Sequence, residues 1–273
     1  MKALSLIDIQ TECLSILKDV HDFCEANDIR YSLAYGTLIG AIRHKGFIPW
    51  DDDVDIVMLR SDYEKFCKSY HSDTYKAICK ETDKTCMMAF CKVCDTKRTL
   101  DLNSPWTKQQ VGIGIDVFPI DGAEDDFQLF AKRYGRISGI WGKLFVNRVI
   151  QNGINEENSY KMNLFIKVLN CTGLQFINRL IGRHRVSRMS RIAQSVPIET
   201  VNHCSMMSFC DDGVKSYFDK DVFSSNIKVP FEGCMLNAAK GYDDFLKAIF
   251  GDYLQLPPED KRVPKHDFKI YWR

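Results

Sequence analysis

Residues 34–57 read Ala34-Tyr35-Gly36-Thr37-Leu38-Ile39-Gly40-Ala41-Ile42-Arg43-His44-Lys45-Gly46-Phe47-Ile48-Pro49-Trp50-Asp51-Asp52-Asp53-Val54-Asp55-Ile56-Val57. Gly36 ends an apolar run that reads as a strand over 29–35. Thr37 to Arg43 reads as a short helix and Gly46 to Pro49 as a turn. The acids then run straight into Ile56-Val57-Met58-Leu59, an apolar stretch that predicts a buried strand over 54–59. If 51–57 are extended, Asp51, Asp53 and Asp55 share one face and Asp52 points away. Their Cα atoms would then be about 7 Å apart from one acid to the next. Anions that close repel, and burial makes each harder to keep charged. A divalent cation relieves the conflict. All-oxygen ligands suit Mg2+, with Mn2+ as the alternative, rather than zinc. A solvated acidic turn would not lead into four buried apolar residues.

The same logic selects partners along the chain. Gly36 permits a tight strand-to-helix junction, and Thr37 with the first amides of the helix could hold a phosphate. Asp116 is a lone acid inside Gly112-Ile113-Gly114-Ile115-Asp116-Val117-Phe118-Pro119. A buried, unpaired carboxylate there would be costly, so it is the candidate third acid of the site. Asp121 is the reserve. Lys92 lies within a strand in the same manner and could meet a diphosphate. Arg43 and His44 flank the loop as candidate phosphate contacts.

Further out, apolar residues Leu6, Ile9, Cys13, Ile16, Leu17, Val20, Phe23 and Cys24 recur at helix period behind Ser5. Ser61-Asp62-Tyr63-Glu64 has the pattern of a capping box and predicts a helix to about residue 70. Strands are expected over 75–80, 87–93 and 113–118, helices over 125–193, a strand over 228–231 and a helix over 243–250. The pattern predicts an α+β fold. Residues 1–124 would form a catalytic core with a mixed β-sheet and flanking helices, 125–200 a basic helical segment, and 201–273 a part that packs back on the core.

At 273 residues the chain can bury a sizeable core unaided. With 45% hydrophobic and 27% charged residues, wholesale disorder is excluded. Thirty-seven bases against 36 acids argue against a nucleic-acid binder. The balance conceals an asymmetry. Residues 132–191 hold 12 Lys or Arg against two Glu, a net of +10; the remainder holds 25 bases and 34 acids, a net of −9. The basic segment is also rich in apolar residues at helical spacing. Such a segment either packs on a core or lies on an anionic membrane surface. No apolar run reaches the roughly 20 residues of a spanning helix, and the acid at Asp8 comes too early for a signal peptide. Eleven cysteines without an export signal point to reduced thiols in the cytoplasm. Cys91-Lys92-Val93-Cys94 with Cys86, and His203-Cys204 with Cys210, lack second pairs at zinc-ribbon spacing, so buried thiols are the expectation.

Gly36 to Gly46, followed by Pro49-Trp50-Asp51-Asp52-Asp53-Val54-Asp55, resembles the signature of the LicD family. The similarity continues in Gly114-Ile115-Asp116-Val117-Phe118-Pro119-Ile120-Asp121-Gly122. It returns in Phe250-Gly251-Asp252-Tyr253-Leu254-Gln255-Leu256-Pro257-Pro258-Glu259-Asp260-Lys261-Arg262. The resemblance implies a nucleotidyltransferase-like fold. It implies a phosphotransferase that moves a phosphorylated alcohol from a CDP-activated donor to a hydroxyl of a cell-surface glycan or its lipid-linked precursor, such as lipopolysaccharide or teichoic acid. Phosphocholine is the leading alcohol. Glycerol phosphate or ribitol phosphate, the latter moved by relatives similar to fukutin-related protein, is the alternative. By the resemblance Asp53 and Asp55 are the metal-binding pair and Asp116 the third acid, all three also catalytic. Gly36-Thr37 stands where the wider superfamily has Gly-Ser, and threonine keeps the hydroxyl. Lys265-His266 stands where paired histidines are expected. A cytoplasmic enzyme touching the inner membrane face follows from these expectations.

Three other functions share some of the residues. A true nucleotidyltransferase would use an NTP and release pyrophosphate. A sugar-nucleotide glycosyltransferase also uses an acid-x-acid pattern, but does not explain the glycine turn before it. A non-catalytic scaffold would have no reason to keep clustered carboxylates.

Overall fold

The computed structural model describes residues 1–102, 104, 106–152, 159–172, 174–264 and 269–273. His266 lies outside them. Helix α1 (Leu6–Ala26) starts where the sequence predicts. The Ser5 hydroxyl accepts from the Asp8 amide, and the Asp8 carboxylate accepts from the Ser5 amide at 2.9 Å. Ile9, Cys13, Ile16, Leu17, Val20 and Cys24 form its buried stripe.

Strand β1 is only Ser32–Leu33, shorter than the predicted 29–35. The chain leaves the extended conformation at Tyr35, whose φ of +47° is strained for a non-glycine residue. Helix α2 (Tyr35–Ile39) follows and continues into a π-helical turn, Gly40–His44. Strand β2 (Asp55–Leu59) runs directly into α3 (Arg60–Ser69). The expected capping box at Ser61 does not form. The helix begins two residues earlier, its cap position is Leu59, and no side chain caps it. Asp62 pairs instead with Arg30 at 3.3 Å.

Next come β3 (Tyr75–Ile78), β4 (Cys91–Asp95), β5 (Thr99–Asp101) and the ten-residue β6 (Gly114–Ala123). The basic segment forms α4 (Phe127–Asn152), α5 (Tyr160–Cys171) and α6 (Gln175–Ala193). The C-terminal part holds β7 (His203–Ser205), β8 (Tyr217–Asp219), β9 (Asn226–Phe231), β10 (Cys234–Ala239), α7 (Tyr242–Phe250) and β11 (Ile270–Trp272).

The fold is α+β. The central sheet has the order β1-β2-β6-β4-β3, with β2 and β6 parallel and every other pair antiparallel. Strand β6 is long enough to serve two sets of neighbours. Gly114 to Ile120 pair with β2 and β4; the last three residues pair with β7, which carries β8. A β9–β10 hairpin and a β5–β11 pair complete the strands among the described residues.

One core cluster joins α1, the sheet and the C-terminal elements, from Ile9 to Ile270. A second joins Met87 and Ala123 to Phe130, Ile137 and Leu144 of α4 and to Val186 and Met189 of α6. Each such side chain, buried, contributes about 1.5–3 kcal/mol. Arg133 fastens this second unit to the sheet. Its guanidinium donates to the carbonyls of Ala193 at 2.9 Å and Gly122 at 2.5 Å. Among the described residues, no helix is long and apolar enough to cross a membrane.

Candidate active site

Strand register assembles the site. Asp55 of β2 is the partner of Asp116 of β6, and Asp116 is in turn the partner of Lys92 of β4. Three ionisable side chains from adjacent strands therefore form one row across the sheet. Lys92 Nζ lies 2.7 Å from Asp116 Oδ1. Burial opposes the lysine's charge, but Asp116 and Asp55 outweigh it and hold the ammonium above its ordinary range. Asp55 is crowded. Burial first, then the charges of Asp53, Asp116 and Asp51, raise its carboxyl well above the usual carboxylate value, with Lys92 acting against them.

The acid run enters this row differently from the expected pleat. Residues 51–54 carry no strand pairing of their own, and β2 begins only at Asp55. A turn in which the Ile48 carbonyl accepts the Asp51 amide at 2.9 Å precedes the acids, and the Val54 carbonyl accepts the Asp116 amide at 2.9 Å. Asp52 does not point away from its neighbours. Asp51, Asp52 and Asp53 each bring a carboxylate oxygen within 4.8 Å of the others. Gln10 of α1 steadies the run by donating to the Asp51 carbonyl at 2.9 Å.

The glycine turn is fitted to the acids. A Cβ at Gly36 would lie 2.5 Å from Asp51 Oδ2, so only glycine lets that carboxylate approach. Thr37 is 1% exposed, and its Oγ1 accepts the Asp55 amide at 3.0 Å. The hydroxyl thus ties the turn to the first residue of β2.

The two flanking cations take different places. Arg43 donates to the carbonyls of Tyr253 at 2.8 Å and Gln255 at 3.3 Å, binding the turn to the C-terminal segment. Partial burial and the nearby Arg262 charge lower its pKa. His44 sits beside it, and burial followed by the Arg43 charge depresses the imidazole, favouring the neutral ring. Asp121, the reserve acid, is not part of the row. Arg60, the first residue of α3, grips both its oxygens at 2.7 Å, and the Asp121 carboxylate is buried.

Phe118 lies two residues beyond Asp116, so its ring shares that face of β6 about 7 Å along. Phe90 at 4.6 Å, Phe209 at 5.0 Å and Tyr35 at 5.9 Å surround it. Tyr35 also donates its hydroxyl proton to Asp212. Trp106 and Trp141 stack at 6.3 Å, and the Arg148 guanidinium already lies over both, 3.5 and 4.8 Å from the ring centres. Trp50 faces Arg262 at 5.8 Å. No local sequence pattern points to this aromatic wall, whose members are up to 174 residues apart in the chain.

The cysteine grouping also differs from the sequence pattern. The thiols that converge within 4.8 Å are Cys67, Cys79 and Cys91, all buried. His203 pairs with Asp125 at 2.8 Å and stacks on Tyr217.

Comparison with known proteins bears on this geometry. Residues 28–133 match the family described as LicD/FKTN/FKRP, nucleotidyltransferase domain, a span that includes Gly36, Thr37, Arg43, His44, Asp53, Asp55, Lys92 and Asp116. Lipopolysaccharide cholinephosphotransferase LicD of Haemophilus influenzae is 30% identical over 280 residues, covering 99% of this chain and 99% of that protein. The chain belongs to the LicD family. An uncharacterized protein of Rickettsia prowazekii, RP689, is 44% identical over 61 residues, 22% of this chain and 20% of its own. The LicD match runs the full length, so the protein is a LicD-like phosphotransferase and the C-terminal elements that hold Arg43 belong to the shared architecture.

Proposed function

We propose that this enzyme transfers phosphocholine from CDP-choline to a hydroxyl of a cell-surface glycan or its lipid-linked precursor, lipopolysaccharide being the acceptor named for its full-length relative. The observation that carries the chemistry is the crowding of carboxylates around buried Asp55, with Lys92 as the cation in their row. Glycerol and ribitol phosphate remain the rival cargoes within the same mechanism.

The donor set fits a hard divalent ion: every candidate ligand is a carboxylate oxygen, and the acids repel one another without one. Asp53, Asp55 and Asp116 would hold Mg2+, or Mn2+, which when bound would neutralise charge on the donor diphosphate. Transfer of this kind depends on positioning and charge more than on covalent help. The acceptor oxygen forms a bond to the phosphorus that bears choline, the bond from that phosphorus to the CMP oxygen breaks, and CMP leaves. We assign the acceptor's proton to Asp116. Lys92 keeps Asp116 oriented and faces the departing phosphate charge. Thr37 and Gly36 shape the turn against which the diphosphate lies. The choline methyl groups need an apolar, aromatic surface; Tyr35, Phe90 and Phe118 are buried in the core, and Phe209, the half-buried ring packed on them, is the one we assign to that contact.

The test is to incubate the enzyme separately with CDP-choline, CDP-glycerol and CDP-ribitol, with and without Mg2+, in the presence of purified acceptor. CMP release and phosphocholine on the glycan with CDP-choline alone is the expected result. Pyrophosphate release from CTP, with a nucleotide left on the product, would replace this reading by nucleotidyl transfer.

A further inference from the structure

We infer that helices α4–α6 form a docking surface for an anionic lipid bilayer. Helix α5 buries one residue, Ile166. On the same helix Leu164 and Phe165 are about half exposed; on α4 Phe145 is 58% exposed, and on α6 Phe176 is 65% exposed. Val168 of α5 and Leu180 of α6 are exposed as well. Large aromatic and aliphatic side chains left exposed on three successive helices offer an interaction surface wherever they adjoin.

Charge selects the occupant. Not one acid occurs in α4, α5 or α6. Glu156 and Glu157 of this segment lie outside the described residues. Three of its arginines are consumed internally: Arg133 on the carbonyls of Ala193 and Gly122, Arg148 over the tryptophans, and Arg185 on the Lys143 carbonyl at 2.8 Å. Lys143, Lys161, Lys167 and Arg188 are exposed. A second copy of this face would bring its own net of +10 against the first, so self-association is opposed. A free anionic glycan would pair with the lysines but leave the aromatic and aliphatic groups in water. A bilayer with anionic headgroups satisfies both, apolar groups entering the acyl boundary and ammonium groups meeting phosphates.

The surface is joined to the site. Trp141 of α4 stacks on Trp106 and touches Phe209, which packs on Phe118 of β6. Docking would thus fix the site relative to a membrane-borne acceptor. That consequence rests on the phosphotransferase reading; the docking itself does not.

The experiment is co-sedimentation of the full chain with phosphatidylcholine vesicles and with vesicles in which about one third of the lipid is phosphatidylglycerol. Binding is expected to the anionic vesicles only and to weaken with salt. Lys161→Gln and Lys167→Gln should each lower partitioning about fivefold. Phe165→Ser with Phe176→Ser should lower it while leaving the salt dependence intact. Absence of binding, equal binding by every variant, or a dimer in sedimentation velocity that Phe165→Ser dissolves without any vesicle binding would each overturn the proposal. CMP release from CDP-choline with a soluble acceptor is measured in parallel and should be unchanged in these variants. A wild type that releases CMP but binds no vesicle sinks the surface alone, whereas a wild type that docks but releases no CMP sinks the catalytic reading alone.

Discussion

Asp55 on β2 and Asp116 on β6 are register partners in the one parallel strand pair of the central sheet, and Lys92 closes the row 2.7 Å from Asp116. Two acids and one base in line leave the row short of positive charge. Asp55→Asn and Asp116→Asn should each lower CMP release by about a hundredfold or more, since each removes a charge the reaction needs. Asp55→Asn should leave the melting temperature equal or higher, because it removes a buried, repelled carboxylate. Unchanged turnover in both variants would remove the row from the mechanism.

Lys92→Met tests the balance from the other side. Without its cation the row should be less stable in EDTA than the wild type. Mg2+ should then raise the variant's melting temperature by more than it raises that of the wild type, because an ion that binds the folded state stabilises it by linkage. Thermal denaturation across a Mg2+ titration reads this without any assay of turnover.

Gly36→Ala places a methyl group against Asp51 Oδ2, at 2.5 Å. Activity should fall while secondary structure by circular dichroism is retained. Adding Asp51→Ala removes the obstructing oxygen, so the double variant should be more stable than additivity predicts, by about 0.5–3 kcal/mol. Strict additivity in denaturant titrations would show that the two do not meet.

These residues also mark where the sequence was legible. Asp116 and Lys92 stood out because each is a lone charge in an apolar strand, and such a charge needs a reason that local sequence can state. The Ser5 cap and the α1 stripe were legible because cap and period are local properties. The facing of Asp52 was not. Alternation holds only where strand pairing imposes it, and pairing begins at Asp55. The Arg43 partners at Tyr253 and Gln255, and the Arg60 partner at Asp121, were hidden for a different reason: nothing near them in sequence records the choice. Apolar period in 125–193 foretold helices but could not say which faces stay uncovered, because coverage is a tertiary property.

Asp95 provides a stability switch with pH. Burial would raise its pKa, but the Thr99 hydroxyl and amide at 2.6 Å, with the Lys97 and Arg98 amides, outweigh burial and lower it. A depressed carboxyl contributes its full stability above the ordinary carboxylate range near pH 4 and loses it as pH falls through the folded-state value. Asp95→Asn should cost about 1.5–3 kcal/mol at neutral pH. The melting-temperature gap between wild type and variant should close as pH is lowered; a gap constant down to about pH 3 would contradict this.

Thiol chemistry follows from burial. Cys171 is exposed, Cys234 is partly covered, and the other nine cysteines are buried. A disulfide reagent should therefore titrate one thiol quickly and a second more slowly in the native protein, and the remainder only after denaturation. Rapid modification of Cys67, Cys79 or Cys91 in the folded protein, located by mass spectrometry, would contradict the packing around α3.

The hydroxyl of Thr37 receives the Asp55 amide across 18 positions of chain. What that contact demands is an oxygen, not a particular residue, so serine is interchangeable with threonine here while valine, equal in shape, would strand a buried amide. Because the donor is a backbone amide, the joint between the glycine turn and the acid pair survives any exchange that keeps a hydroxyl at position 37 and fails when that oxygen is lost.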